Sequence, residues 1–164
     1  MSGSLLKKRM KTKKDIEKII IKNMKSGLWC KSECKKALKY LEQFKDNDTI
    51  DTIAENIPEK WALEWAFKVG DRELMKKLIH TEKYALKWAC WIGDREYMKQ
   101  FIYSNEYAYY WALNIGDREY MKQFIENENW AFYWAADIGD MEYMSQFIKS
   151  KYWKDRWKIY WGSD

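Results

Sequence analysis

Side chains that commonly carry chemistry are scarce in this chain, and those that recur do so too often for one active centre. His80 is the sole histidine, and the cysteines are Cys30, Cys34 and Cys90. A C-x3-C pair with one distant imidazole falls short of a four-ligand zinc site and lacks the spacing of a redox dithiol. Nucleophilic catalysis would need a base held against the nucleophile, and His80 is the only imidazole available for it. The carboxylate pairs Asp71/Glu73, Asp94/Glu96, Asp117/Glu119 and Asp140/Glu142 repeat at a fixed interval. As acid-base pairs they would make four equivalent active sites, whereas helix starts, where free amides favour negative charge, give them a structural duty. There is no P-loop and no dinucleotide-binding glycine fingerprint. The expectation is a protein without catalytic residues, metal, cofactor or small-molecule substrate, and not an enzyme.

The remaining chemistry is electrostatic. Residues 1–39 hold 13 Lys or Arg against 3 Asp or Glu, a net of +10, whereas residues 40–164 hold 17 against 22, a net of −5. Lys7, Lys8, Arg9, Lys11, Lys13 and Lys14 form a run able to neutralise phosphates, an attraction that is non-specific and falls steeply with salt. Such runs also occur in tails that only solubilise or localise a protein. The net-acidic body argues against a long phosphate-tracking groove.

The elements that would position any site are set by a repeat. Gly70, Gly93, Gly116 and Gly139 stand 23 residues apart, and Trp65, Trp88, Trp111, Trp134 and Trp157 keep the same step. So do Ala62, Ala85, Ala108 and Ala131; Met75, Met98, Met121 and Met144; and Ile79, Ile102, Ile125 and Ile148. Columns of this number and regularity mark a tandem array. Within a unit, Tyr84, Ala85, Trp88, Ala89 and Ile92 fall on one helical face, and Gly93 ends that helix. Asp94 is placed to cap a second helix with the apolar residues Tyr97, Met98, Phe101 and Ile102, and Thr81, Ser104, Asn127 and Ser150 to cap the first helices. Helices this short are marginal alone, so stacking must hold them.

The fold expected is all-α: an alpha-solenoid of short two-helix tandem repeats with an N-terminal helical cap. Residues 1–36 read as the basic segment and capping helix, with Ile16, Ile19, Ile20, Ile21 and Met24 covering the open edge. Residues 37–59 read as a degenerate first repeat, 60–148 as four 23-residue repeats, and 149–164 as a partial-repeat cap, all in a single domain. Few glycines, one proline and 18% aromatic residues agree with a packed helical protein. Lysines and arginines interrupt every apolar stretch near the N-terminus, so no membrane partner is expected and a cytoplasmic location is.

The phrase Ala85-Leu86-x-Trp88-Ala89-x-x-x-Gly93-Asp94-x-Glu96-x-Met98-Lys99-x-x-Ile102 resembles the helical part of an ankyrin repeat. The likeness covers residues 61–148. Ankyrin repeats are about ten residues longer, with a hairpin finger and a Thr-Pro entry, and neither is present here. What the resemblance implies is recognition of a macromolecule, commonly a protein, without catalysis.

Constant columns hold a solenoid together and variable ones face outward. The variable columns are Glu64/Lys87/Tyr110/Tyr133/Arg156, Lys68/Trp91/Asn114/Asp137/Tyr160 and His80/Tyr103/Glu126/Lys149. Their mixture of aromatic and charged side chains suits protein recognition. Lys87, Trp91, Tyr103, Tyr110, Asn114, Glu126, Tyr133 and Asp137 are therefore the expected partner-binding residues of an adaptor or inhibitor. The alternative is a nucleic-acid-binding repeat protein led by its basic N-terminal segment.

Overall fold

A computed structural model describes residues 11–162, and among these every regular element is helical apart from one isolated antiparallel bridge between Thr12 and Thr49. The chain divides into two compact units between Ile79 and His80. Both are built from short helices in tandem contact, the architecture of a helical-repeat solenoid.

The first unit holds α1 (Lys13–Lys25), α2 (Lys31–Leu41), α3 (Ile50–Ala54), α4 (Glu59–Lys68) and α5 (Arg72–Lys76). Thr12 and Asp15 form a capping box at the start of α1. The same strand of backbone is pinned beside α3 by Ile50 N–H donating to Lys11 C=O at 2.9 Å. Ile16 and Ile20 are fully buried, as the capping-helix reading requires, but Ile21 lies on the exposed side of α1. It is 100° from Ile20 around the helix, which takes it off the apolar face. The Tyr40 hydroxyl donates to Ile53 C=O at 2.9 Å, and its ring meets Trp61 edge-on, so α2 is tied to both α3 and α4.

The second unit alternates long and short helices: α6 (Glu82–Trp91), α7 (Arg95–Met98), α8 (Asn105–Asn114), α9 (Arg118–Met121), α10 (Glu128–Asp137), α11 (Met141–Ser145) and α12 (Lys151–Trp161). The constant columns form the cores of the units. Trp65, Trp88, Trp111 and Trp134 are at most 1% exposed, and the four alanines and four methionines of their columns are fully buried. Trp157 of α12 is only half-buried.

Three of the four aspartates after the glycines do something other than expected. Asp71 does cap α5, accepting from Leu74 N–H at 3.3 Å. Asp94, Asp117 and Asp140 instead occupy the left-handed region with φ of 52°, 54° and 59°, and make no side-chain cap hydrogen bond. Aspartate tolerates that conformation better than most residues, and it turns the carboxylate away from its own helix. Asp94 accepts from the Trp88 indole N–H at 3.0 Å. Asp117 and Asp140 accept from Lys99 and Lys122 of the preceding repeat at 3.1 and 3.2 Å. Each lysine also pairs with the glutamate three residues before it and lies 4.6 Å from the ring centroid of Tyr120 or Tyr143. Both ammonium groups are held above the usual lysine range, Lys99 by Glu96 and then Asp117, Lys122 by Glu119 and then Asp140.

The first helices are capped across the repeat as well as within it. Ser104 and Ser150 accept from the amides of Tyr107 and Trp153, while Thr81 and Asn127 occupy the cap without such a bond. The carboxylate of Glu82 receives the amides of Tyr103 and Ser104, and Asn105 Oδ1 receives those of Glu126 and Asn127. Glu128 receives the amides of Lys149 and Ser150. These donors hold Glu128 below its usual value of 4.5, Ser150 first and Lys149 second. With the folded pKa depressed, this contribution to stability is complete above pH 4.5 and is lost as pH falls through the lowered folded value. Glu128→Gln should therefore melt earlier than the unaltered chain at pH 6, and the gap should close towards pH 3. Thermal melts at pH 6, 4.5 and 3 check this; a gap that widens in acid contradicts it.

Candidate interaction surface

The long helices of the second unit bury Trp88, Trp111 and Trp134 on one side and leave aromatic rings on the other. On α6 the Lys87 ammonium lies 5.5 Å from the Tyr84 ring centroid and 5.7 Å from that of Trp91, so all three share a face. On α8 Tyr107 and Tyr110 meet edge-on at 6.2 Å. Trp130 of α10 then reaches back, 6.0 Å from Tyr110 and 5.5 Å from Tyr109, and contacts Tyr133 on its own helix at 5.8 Å. Tyr133 in turn lies 6.3 Å from Trp153 of α12, and the Arg156 guanidinium packs over Phe132, Tyr152 and Trp153. The result is an aromatic strip running across three adjacent repeats, with pairs in the edge-on and tilted arrangements that ring quadrupoles favour.

Of the eight residues expected to bind a partner, the structure brings together Tyr110 and Tyr133, bridged by Trp130. Lys87 and Trp91 are beside each other on α6. Asp137 faces the same strip through its carboxylate, which accepts the Tyr109 hydroxyl; burial, and then this hydrogen bond, push the Tyr109 pKa up. Asn114 is exposed at the end of α8 and returns a bond to Tyr110 C=O at 2.7 Å. Tyr103 and Glu126 are exposed, Tyr103 at 73%, but stand just before the opposite ends of the long helices. A ten-residue helix, about 15 Å long, separates the two sets.

The rings of Tyr84, Tyr107, Trp130 and Trp153 were the missed part of this surface. They recur every 23 residues, and Tyr84 was expected on the buried face, yet all four are half-exposed. Their unbroken aromatic character was the available signal, masked by the rule that constant columns pack inward. Cys34 is buried, whereas Cys30 and Cys90 are exposed thiols. Cys90 lies two residues beyond Trp88, about 200° around the helix, and so faces solvent.

The basic run is divided by the structure. Lys7, Lys8 and Arg9 lie outside the described residues. Lys13 is half-buried, donates to Phe44 C=O at 2.8 Å and lies 3.5 Å from Glu17. Lys11 is half-buried near Gly70, and Lys14 is exposed.

Among the described residues no group of His, Cys, Asp or Glu is arranged to hold a metal ion, and no helix is long and apolar enough to cross a membrane. Two hollows open away from the strip. One, of about 310 Å³, is lined by Arg95, Glu96, Trp111, Ile115 and Asp117; the other, of about 170 Å³, lies where the repeat ends, among Ser145, Ile148, Lys154, Trp157 and Lys158.

No protein family, curated protein or solved structure matches the chain. The tandem two-helix repeat without β-hairpins, among the described residues, is compatible with an ankyrin-like or a generic solenoid unit.

Proposed function

We propose that the chain is a non-catalytic binding module whose partner is a protein, held on the aromatic strip of α8, α10 and α12. The observation that carries this is the continuity of Tyr110, Trp130, Tyr133 and Trp153 across three repeats, with Tyr133 at 43% and Tyr152 at 60% exposure. Large exposed apolar patches on a soluble surface mark contact sites, and Tyr, Trp and Arg dominate the energetically important contacts there. Rings already braced against one another lose little rotamer freedom on binding, which favours affinity. Such a surface works by occupancy, as an adaptor or an inhibitor does. The ankyrin-like phrase of each repeat supports the same reading, since that family recognises macromolecules.

A photo-crosslinking residue placed at Tyr133 should capture one stoichiometric protein in extracts of the native host, with or without nuclease. The same residue at Gln123, on the short-helix side, should not. Trp130→Ala should abolish the product at Tyr133. Equal yields from both positions, or a product that disappears with nuclease, would refute the protein-partner reading.

A further inference from the structure

The first unit carries a second charged surface that the aromatic strip does not explain. Lys14, Lys18, Lys22 and Lys25 follow one another along α1, all exposed, on the side opposite Ile16 and Ile20. Lys31, Lys35 and Lys39 do the same on α2. Glu33 and Tyr40 point α2 towards α4, through Lys60 at 3.2 Å and the Trp61 ring, so the α2 lysine row lies on the side of the helix away from α4. The two helices pack together, joined by a turn with Lys25 before it and Lys31 after it.

The carboxylates of these helices are committed elsewhere. Asp15 caps α1, Glu17 lies against Lys13, and Glu33 pairs with Lys36 and Lys60 and is held below the usual carboxylate range, first by Lys60. None of the seven lysines has a carboxylate within ion-pair distance among the described residues.

We infer that these two rows form a binding surface for the phosphate backbone of duplex nucleic acid. Successive lysines four residues apart are about 6 Å apart along the helix axis, and the α1 row spans about 16 Å. Over that length duplex DNA presents on the order of ten phosphates. The one ring in the turn between the rows, Trp29, is half-buried with the Lys68 ammonium 6.0 Å from its centroid, so bases have little to stack on and a single strand would gain little beyond its charge. An anionic membrane fits less well. An interfacial helix must insert an apolar face, and that of α1 is already buried in the core at Ile16 and Ile20, leaving only Ile21 and Leu28 as exposed large apolar residues of α1 and its turn among the described residues. The inference uses none of the residues of the protein-binding strip.

Fluorescence anisotropy of the full chain with a labelled 20-base-pair DNA of mixed sequence tests it. Binding at 50 mM salt should weaken by nearly 10⁴-fold, about 10^3.8, at 200 mM if all seven lysines engage phosphates. The quadruple variant Lys18→Gln, Lys22→Gln, Lys35→Gln, Lys39→Gln should lose at least about 100-fold at 50 mM, and its log-log salt slope should be shallower by about 3 to 4. A charge-matched variant in the second unit, Lys83→Gln, Lys149→Gln, Lys154→Gln, Lys158→Gln, should stay within about fivefold of the unaltered chain, since none of these lysines belongs to the two rows. Absence of binding at 50 mM overturns the inference, as does equal loss in both variants, or capture by phosphatidylserine vesicles without duplex binding. Should either variant lose its helical circular dichroism, lysine acetylation of the unaltered chain decides. Duplex must then protect Lys18, Lys22, Lys35 and Lys39 and leave Lys83 and Lys149 reactive; uniform reactivity refutes the site.

Discussion

Trp111→Ala should destabilise the protein by roughly 3–5 kcal/mol, the range for removing a large aromatic side chain from a packed core. The residue is 1% exposed on α8, a helix in contact with α6, α9 and α10, so the cavity would open among four helices at once. Thermal unfolding should begin on the order of 10 °C earlier. Trp157→Ala is the matched control, because the same column at α12 is half-buried. It should cost about 1–2 kcal/mol. If the two variants melt together, the tryptophan column does not hold the stack.

The indole nitrogens of the column refine this expectation. Trp88 N–H donates to Asp94, but Trp111 and Trp134 N–H are buried without an acceptor among the described residues. Phenylalanine in place of Trp88 therefore gives up a hydrogen bond worth about 1 kcal/mol on top of lost volume. At Trp111 only the volume is lost.

How much of this was legible in the sequence depends on whether the interaction stays inside one repeat. The helix pairs and the buried Trp, Ala, Met and Ile columns follow from local periodicity, and the structure has them from residue 62 to residue 148. The left-handed aspartates were misread because a Gly-Asp pair before a helix is equally compatible with capping and with a turn of two positive-φ residues. At Asp117 and Asp140 a lysine 18 residues earlier takes up the carboxylate, and at Asp94 the indole six residues earlier does. Glu82, Asn105 and Glu128 were invisible for the same reason: their partners are amides 21 and 22 residues ahead. The aromatic strip was half found. Tyr110 and Tyr133 stood out by varying, whereas Trp130 and Trp153 were hidden in a column constant enough to look like core. The lysine rows needed helix boundaries, since the charge excess before residue 40 becomes two faces only once α1 and α2 turn every fourth side chain to the same side.

Ala108→Leu should cost about 1–3 kcal/mol, the expense of forcing extra methylenes into a filled core. Ala108 is fully buried on the same long helix as Trp111, as are its counterparts Ala62, Ala85 and Ala131. A small side chain there lets neighbouring helices approach while the tryptophan one turn on fills the remaining space, so volume added at one place has no matching void at the other. The corresponding position in α12 is Lys154, which is exposed. Lys154→Leu should accordingly change stability by less than about 0.5 kcal/mol, as surface substitutions usually do. Chemical denaturation of the two variants separates the cases. A destabilised Lys154→Leu beside an unaffected Ala108→Leu would mean that the alanines recur for some reason other than helix spacing, and the division of columns into packed and outward-facing would lose its physical basis.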